Sequence, residues 1–183
     1  MAQYQAFAPD VEISGHILQA TLLANPTLEP KVRSIMAEKD LAQFEEQGWY
    51  NMQDYLDVVK ELGKEFGPSL LFAIGKSISQ CLLDQEHPQS LHEALQTLDE
   101  MYRANHRGHN IGYYHLLSYS PDYKEAKVEC KNPYPCFLDR GILTALSKQF
   151  KPKEAQLINV EVDDVRPQRL AGNDASYYNI LWV

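Results

Sequence analysis

The residues best equipped for chemistry crowd between positions 103 and 115, where Arg103-Ala-Asn-His-Arg-Gly-His-Asn110 is followed by His115. Imidazole nitrogens ligate divalent metals and haem iron, and His106 and His109 are close enough in sequence to share a site. No carboxylate or thiolate at ligand spacing completes a recognised set. The same residues follow a helix-like stretch. There, basic and imidazole side chains complement the helix dipole and hydrogen-bond its open carbonyls, while Gly108 supplies a left-handed cap. Capping is the reading these residues favour, with a metal or haem site as the alternative.

Cys130 and Cys136 stand too far apart for a redox Cys-x-x-Cys and lack the partner pair of a structural zinc site. They read as buried small hydrophobes, with a reversible disulfide or a reactive thiol at a helix N-terminus left open. Asp139 falls in the first turn of the helix that Cys136 begins, where a carboxylate suits the dipole without any catalytic role. The eleven tyrosines include Tyr113, Tyr114, Tyr119, Tyr123 and Tyr134. Strand alternation puts Tyr113, His115, Leu117 and Tyr119 on one face and Tyr114, Leu116 and Ser118 on the other. One face could line a pocket, and ordinary core and surface aromatics of a half-covered sheet explain the pattern equally well. No Gly-rich phosphate loop, nucleophile elbow or paired-acid motif is visible, so enzyme chemistry has no positive evidence.

These residues need elements to place them. Gly112 to Ser120 suits a pleated surface, Pro121-Asp122 supplies a turn, and Lys124 to Cys130 alternates charged with apolar positions, which makes a hairpin. Pro133 and Pro135 force the chain out of the sheet before Cys136 to Phe150 can coil. Ala155 to Val162 and Ser176 to Val183 read as two further strands separated by a charged loop containing Pro167 and Gly172. Upstream, Val11 to Leu23 begins with strand-like alternation and turns helical after Gly15-His16. A short helix starts near Pro30, and Asn51 caps a helix whose inward stripe is Tyr55, Leu56, Val59, Leu62 and Phe66. Gly67-Pro68 breaks it. The next helix carries Leu71, Phe72, Ile74, Ile78, Cys81 and Leu82, with Gly75 as a close-packing point. Ser90 with Glu93 forms a capping box that opens a regular face from Leu91 to Tyr102.

A chain of 183 residues with 44% apolar composition can bury one good-sized core. We therefore expect a single ligand-binding-type domain over 1–183, mainly helical over 1–110 and sheet plus helix over 111–183. The expected fold class is α+β: an N-terminal helical layer packed on a C-terminal four-stranded antiparallel sheet with one crossing helix. The net charge of −8 disfavours nucleic acid and anionic membrane surfaces. No apolar run approaches the roughly 20 residues of a membrane span, and Met1 to Asp10 lacks the pattern of a secretory signal. With three cysteines, the expectation is a cytoplasmic protein carrying thiols.

The order of elements resembles a superfamily of ligand-binding domains shared by haem-nitric-oxide-binding sensors, vinyl-reductase-type hydrocarbon-binding domains and Golgi transport particle subunits. Its most specific pieces are Gly48-Trp-Tyr before a helix, Phe66-Gly-Pro leading to Ile74-Gly75-Lys76, Leu98-Asp-Glu-Met-Tyr102 entering the hairpin, and Val128-Glu-Cys130 through Gly141-Ile-Leu143 to Phe150. The resemblance implies a space between the helical layer and the sheet that holds haem, a small hydrophobic molecule or a lipid chain. The nearest counterparts of the sensors' iron-ligating histidine are Tyr102 in register or His106 one turn later. Their Tyr-x-Ser-x-Arg propionate motif is replaced by Asn132-Pro-Tyr-Pro-Cys136, which offers no arginine fork.

These strands of argument give a non-enzymatic sensory or carrier domain binding a small hydrophobic or tetrapyrrole-like ligand between helices and sheet. Trp49, Phe72, Tyr102, His106, Tyr113 and His115 are the lining candidates. Haem is the one specific cofactor raised. The alternatives are a scaffold or homodimerisation module without a ligand, and an enzyme of tetrapyrrole metabolism.

Overall fold

The apolar stretch that starts at Val11 changes period at Ser14: β1 (Glu12–Ser14) gives way directly to α1 (Gly15–Leu23). The computed structural model describes residues 3–83, 88–166 and 168–183, apart from the side chains of Leu82 and Leu170. Leu82's expected inward position and the loop breaker Pro167 lie outside what is described. Next comes α2 (Glu29–Ala37), with proline in its first turn, and then β2 (Trp49–Asn51) and α3 (Met52–Phe66). Asn51 caps α3 as expected, its side chain accepting from the Gln53 and Asp54 amides. Tyr55, Leu56, Val59 and Leu62 form its buried stripe.

Gly67 and Pro68 separate α3 from α4 (Pro68–Leu83). The face from Leu91 to Tyr102, read as one helix, is two: α5 (Leu91–Gln96) and α6 (Leu98–Ala104). The break is at Thr97, whose hydroxyl donates back to the Glu93 carbonyl, the local competition that makes threonine a poor interior helix residue. Ser90 caps α5, accepting from the Glu93 amide at 3.2 Å. After α6 comes β3 (His106–Arg107), and β1 pairs antiparallel with both β2 and β3. This small sheet is not announced by residue pattern, because strands of two or three residues are too short to show a period.

The C-terminal half follows expectation. It consists of β4 (Tyr113–Ser120), β5 (Glu125–Lys131), α7 (Cys136–Gln149), β6 (Ile158–Val162) and β7 (Ser176–Trp182), with the antiparallel sheet ordered β4-β5-β7-β6. One face of the sheet is buried through Ala126, Val128, Cys130, Tyr178 and Ile180. The fold is therefore α+β, with helices over a four-stranded sheet and α7 crossing. One correction concerns β4. A bulge between Leu116 and Ser118 shifts the register, so that Tyr119 lies opposite the buried Ala126 rather than sharing a face with Tyr113 and His115. Its ring stacks on Trp182 at 5.4 Å.

The helical half meets the sheet half where α4 crosses α7. A Cβ at Gly75 would run into the Leu138 carbonyl, and one at Gly141 into the Phe72 carbonyl. Each glycine thus lets the other helix's backbone approach, which is the close packing expected of Gly75. No helix among the described residues is long and apolar enough to cross a membrane.

Candidate functional site

Two prolines dictate the first half of the site. With Pro133 and Pro135 in the bent connector between β5 and α7, Tyr134 is held by its amide donating to Asn132 Oδ1 at 3.0 Å, and its ring turns inward until only 1% is exposed. Its hydroxyl meets His106 Nε2 at 2.5 Å. Across the imidazole, Nδ1 lies 2.7 Å from the Tyr102 carbonyl oxygen. A carbonyl only accepts, so Nδ1 carries the hydrogen and Nε2 accepts from the phenol. The imidazole stacks on the Tyr102 ring at 3.8 Å. Burial lowers the His106 pKa to about 4, against the upward pull of the Tyr102 carbonyl, so the ring is neutral at pH 7.

Around this pair the space between helices and sheet is filled with aromatic rings. Tyr102 donates to the Ile111 carbonyl at 2.5 Å, and its ring meets Tyr114 and Tyr134 edge-on at 5.3 and 6.3 Å. From α3, Tyr55 packs edge-on against Tyr134 at 6.3 Å. The Tyr55 hydroxyl lies 2.8 Å from that of Thr21, which itself donates to the Ile17 carbonyl. Burial pushes all four phenols above their ordinary range, so they act as neutral donors.

A second polar group lies beside the first. Asp139 accepts from Tyr114 at 2.6 Å and from Asn132 at 3.1 Å, and it pairs with Arg169, which reaches in from the 3-10 turn Arg169–Ala171. Arg169 also donates to Asn132 and, through Nε, to Ser176 at 3.1 Å. Ser176 Oγ is 3.1 Å from the Cys136 sulfur. Both charges are fully buried, and the Asp139 carboxylate holds the guanidinium protonated more firmly than usual.

The structure brings two of the six candidate residues together, Tyr102 and His106. Trp49 is half-buried on β2 beneath the Arg107 guanidinium at 4.5 Å. Phe72 lies on an outer side of α4. Tyr113 points its hydroxyl at Glu129, 3.3 Å away, and His115 is exposed on the same strand, both beside an open groove with Gln96, Asp99 and Arg103. His109 leaves the cluster to meet Asp10 at 2.6 Å on the surface. Sequence reasoning placed Tyr55 on the inward stripe of its helix, Tyr114 on one strand face and Tyr134 among the aromatics, without bringing them to one site, and it did not single out Arg169 within the charged loop.

The arrangement holds neutral hydrogen-bond donors and one imidazole lone pair in a buried, aromatic interior. It contains no nucleophile poised against a base: burial raises the Cys130 thiol, and Asp139 is committed to Arg169, Tyr114 and Asn132. Among the described residues no group of three His, Cys, Asp or Glu side chains converges as a metal site.

No family model and no curated protein matches the chain. Solved structures do. An H-NOX protein from S. oneidensis in the Fe(II)NO ligation state superposes with a TM-score of 0.68 at 13% identity, covering 93% of this chain and 99% of that one. The Fe(II) unliganded H-NOX protein from K. algicida gives 0.66 at 10% identity over 93% and 97%. At such identities the likeness is one of fold, and it bears out the haem-nitric-oxide-binding part of the resemblance at that level.

Proposed function

We propose that the chain is a non-enzymatic sensory or carrier domain on the H-NOX architecture, whose guest is a small hydrophobic molecule lodged between the helical layer and the sheet. The observation that carries this reading is the Tyr134–His106–Tyr102 array: an aromatic interior with an oriented imidazole lone pair, closed by one side chain on the β5–α7 connector. A guest taking the place of the Tyr134 ring would find apolar ring faces for area and Nε2 for orientation.

Haem is the cofactor to weigh, since the S. oneidensis neighbour is described in an Fe(II)NO ligation state. The residues present do not fit it. His106 Nε2 is taken by the Tyr134 phenol, and the rings of Tyr55, Tyr102, Tyr114 and Tyr134 occupy the interior in mutual contact. The buried guanidinium nearby, Arg169, is matched to Asp139 rather than open to a propionate. The reading therefore favours a guest smaller than a tetrapyrrole.

The packed interior also favours a second reading, a scaffold or homodimer module without a guest. Purification followed by native mass spectrometry and absorbance, with and without added haemin, separates them. A retained or exchangeable small apolar mass, lost in Tyr134→Trp, supports the carrier reading. A Soret band bound to His106 would replace it with a haem protein. A colourless protein that takes up neither haemin nor apolar probes leaves the scaffold.

A further inference from the structure

Along one side of α7, Arg140, Thr144 and Lys148 follow one another at four-residue intervals, with Lys151 just beyond the helix end. Together with Phe72, Leu157 and Ile158 they line an open groove of about 520 Å³. A smaller recess formed by Pro68, Ser69, Phe72, Phe137 and Arg140 continues it. Two apolar side chains at its ends lie open to solvent, Phe137 at 41% and Leu157 at 65%. Lys76 stands over the Phe72 ring at 5.6 Å.

The charge here runs against the rest of the chain, which carries 25 acidic residues to 17 basic ones. Several cations elsewhere are matched, as Lys31 with Glu65, Lys39 with Asp57, Arg103 with Asp99 and Arg107 with Glu12. Among the described residues Lys76, Arg140, Lys148 and Lys151 form no ion pair, and no acidic side chain lines the groove. Arg140 is held in place by donating through Nε to the Val160 carbonyl at 3.0 Å, which leaves its charge uncompensated.

We propose that this groove docks an acidic amphipathic helix of a partner protein. The geometry suits a helix: Arg140 and Lys148 stand about two turns apart on α7, with Lys151 just beyond, and they match carboxylates set about two turns apart on a helix laid alongside. The length agrees, since Phe137 to Lys148 spans about 16 Å of α7, or three turns of a docked helix. Phe72, Phe137 and Leu157 receive the apolar residues of that helix, and the cation row fixes its register and speeds its arrival. The site lies outside the aromatic interior and does not depend on what occupies it.

The test uses the purified full chain and a fluorescein-labelled peptide of about four helical turns. It carries Leu or Phe at i, i+3, i+4 and i+7 with Glu on the flanking positions. Counterparts replace its Glu by Lys or its Leu and Phe by Ser. Anisotropy is expected to show binding of the acidic peptide alone, weakening with salt and falling by about tenfold or more in Lys148→Glu, an exposed position whose change leaves the thermal melt in place. Phe137→Ser should weaken it independently of salt. The proposal is overturned if the acidic and basic peptides bind alike, if Lys148→Glu binds as the parent does, or if the protein ignores the peptide and sediments instead with phosphatidylserine vesicles.

Discussion

Tyr134 and His106, 28 residues apart, are joined by a hydrogen bond of 2.5 Å that ties the β5–α7 connector to β3, just past the end of α6. Because His106 passes the link on to the Tyr102 carbonyl at 2.7 Å, the bond fixes both the tautomer and the ring plane of the imidazole. It is a join between the two halves of the fold made by one proton donor and one lone pair, both buried.

Tyr134→Phe keeps the ring and removes the donor, leaving Nε2 buried and unpaired. Denaturant unfolding is expected to show a loss of about 1–3 kcal/mol. Tyr134→Ala adds a cavity and should cost about 3–5 kcal/mol. A Phe variant as stable as the parent would mean that the hydrogen bond contributes nothing to the join.

His106 also gives the protein a pH dependence. Its folded pKa of about 4 lies below its ordinary value of 6.5. Between those values the unfolded chain binds a proton that the folded chain refuses, so stability is complete above pH 6.5 and declines as pH falls toward 4. The decline attributable to this residue is about 3 kcal/mol and stops below pH 4. Unfolding curves for the parent and His106→Gln across this range should converge toward acid. Parallel curves would mean that His106 does not titrate as its burial requires.

Much of this architecture is legible in the residues because its segments are long enough to show a period. The α3 stripe, the β4–β5 hairpin, the proline-forced connector and the α7 helix all read directly. What escapes are features set by single residues or by tertiary contact: the Thr97 break between α5 and α6, the bulge that turns Tyr119 inward, and the three short strands around β1. At the site, periodicity told which face of an element Tyr102 occupies but not which element would meet it. Trp49, Phe72, Tyr113 and His115 are aromatic in the right neighbourhoods of sequence, and each ends on a surface that the interior does not touch.

Arg169 anchors the loop between β6 and β7 into the interior through Asp139. Arg169→Met leaves a buried carboxylate without its counter-charge and should cost about 3–5 kcal/mol. Removing both charges in Arg169→Met/Asp139→Leu should recover part of that loss, because Tyr114 and Asn132 then lose a partner but no lone charge remains. Chemical denaturation of the two single variants and the double variant measures the coupling. Additive losses would mean that the two side chains do not act as a pair.

The crossing of α4 and α7 rests on two glycines that face each other's backbone, and it can be tested against a third that does not. Alanine is the better helix former by about 1 kcal/mol, so Gly→Ala in a roomy helix stabilises. At Gly63 in α3 the added methyl would meet the end of the Leu71 side chain, which can rotate, and Gly63→Ala should be neutral or mildly stabilising. At Gly75 it meets the Leu138 carbonyl, and at Gly141 the Phe72 carbonyl, neither of which can yield without moving a helix. Gly75→Ala and Gly141→Ala should each lose about 1–3 kcal/mol or more despite the propensity gain. Because both force apart the same pair of helices, their double variant should lose less than the sum of the singles. Thermal melts that rank Gly63→Ala with the other two would show that α4 and α7 have room to spare, and the close backbone approach would then not be what holds the helical half to α7.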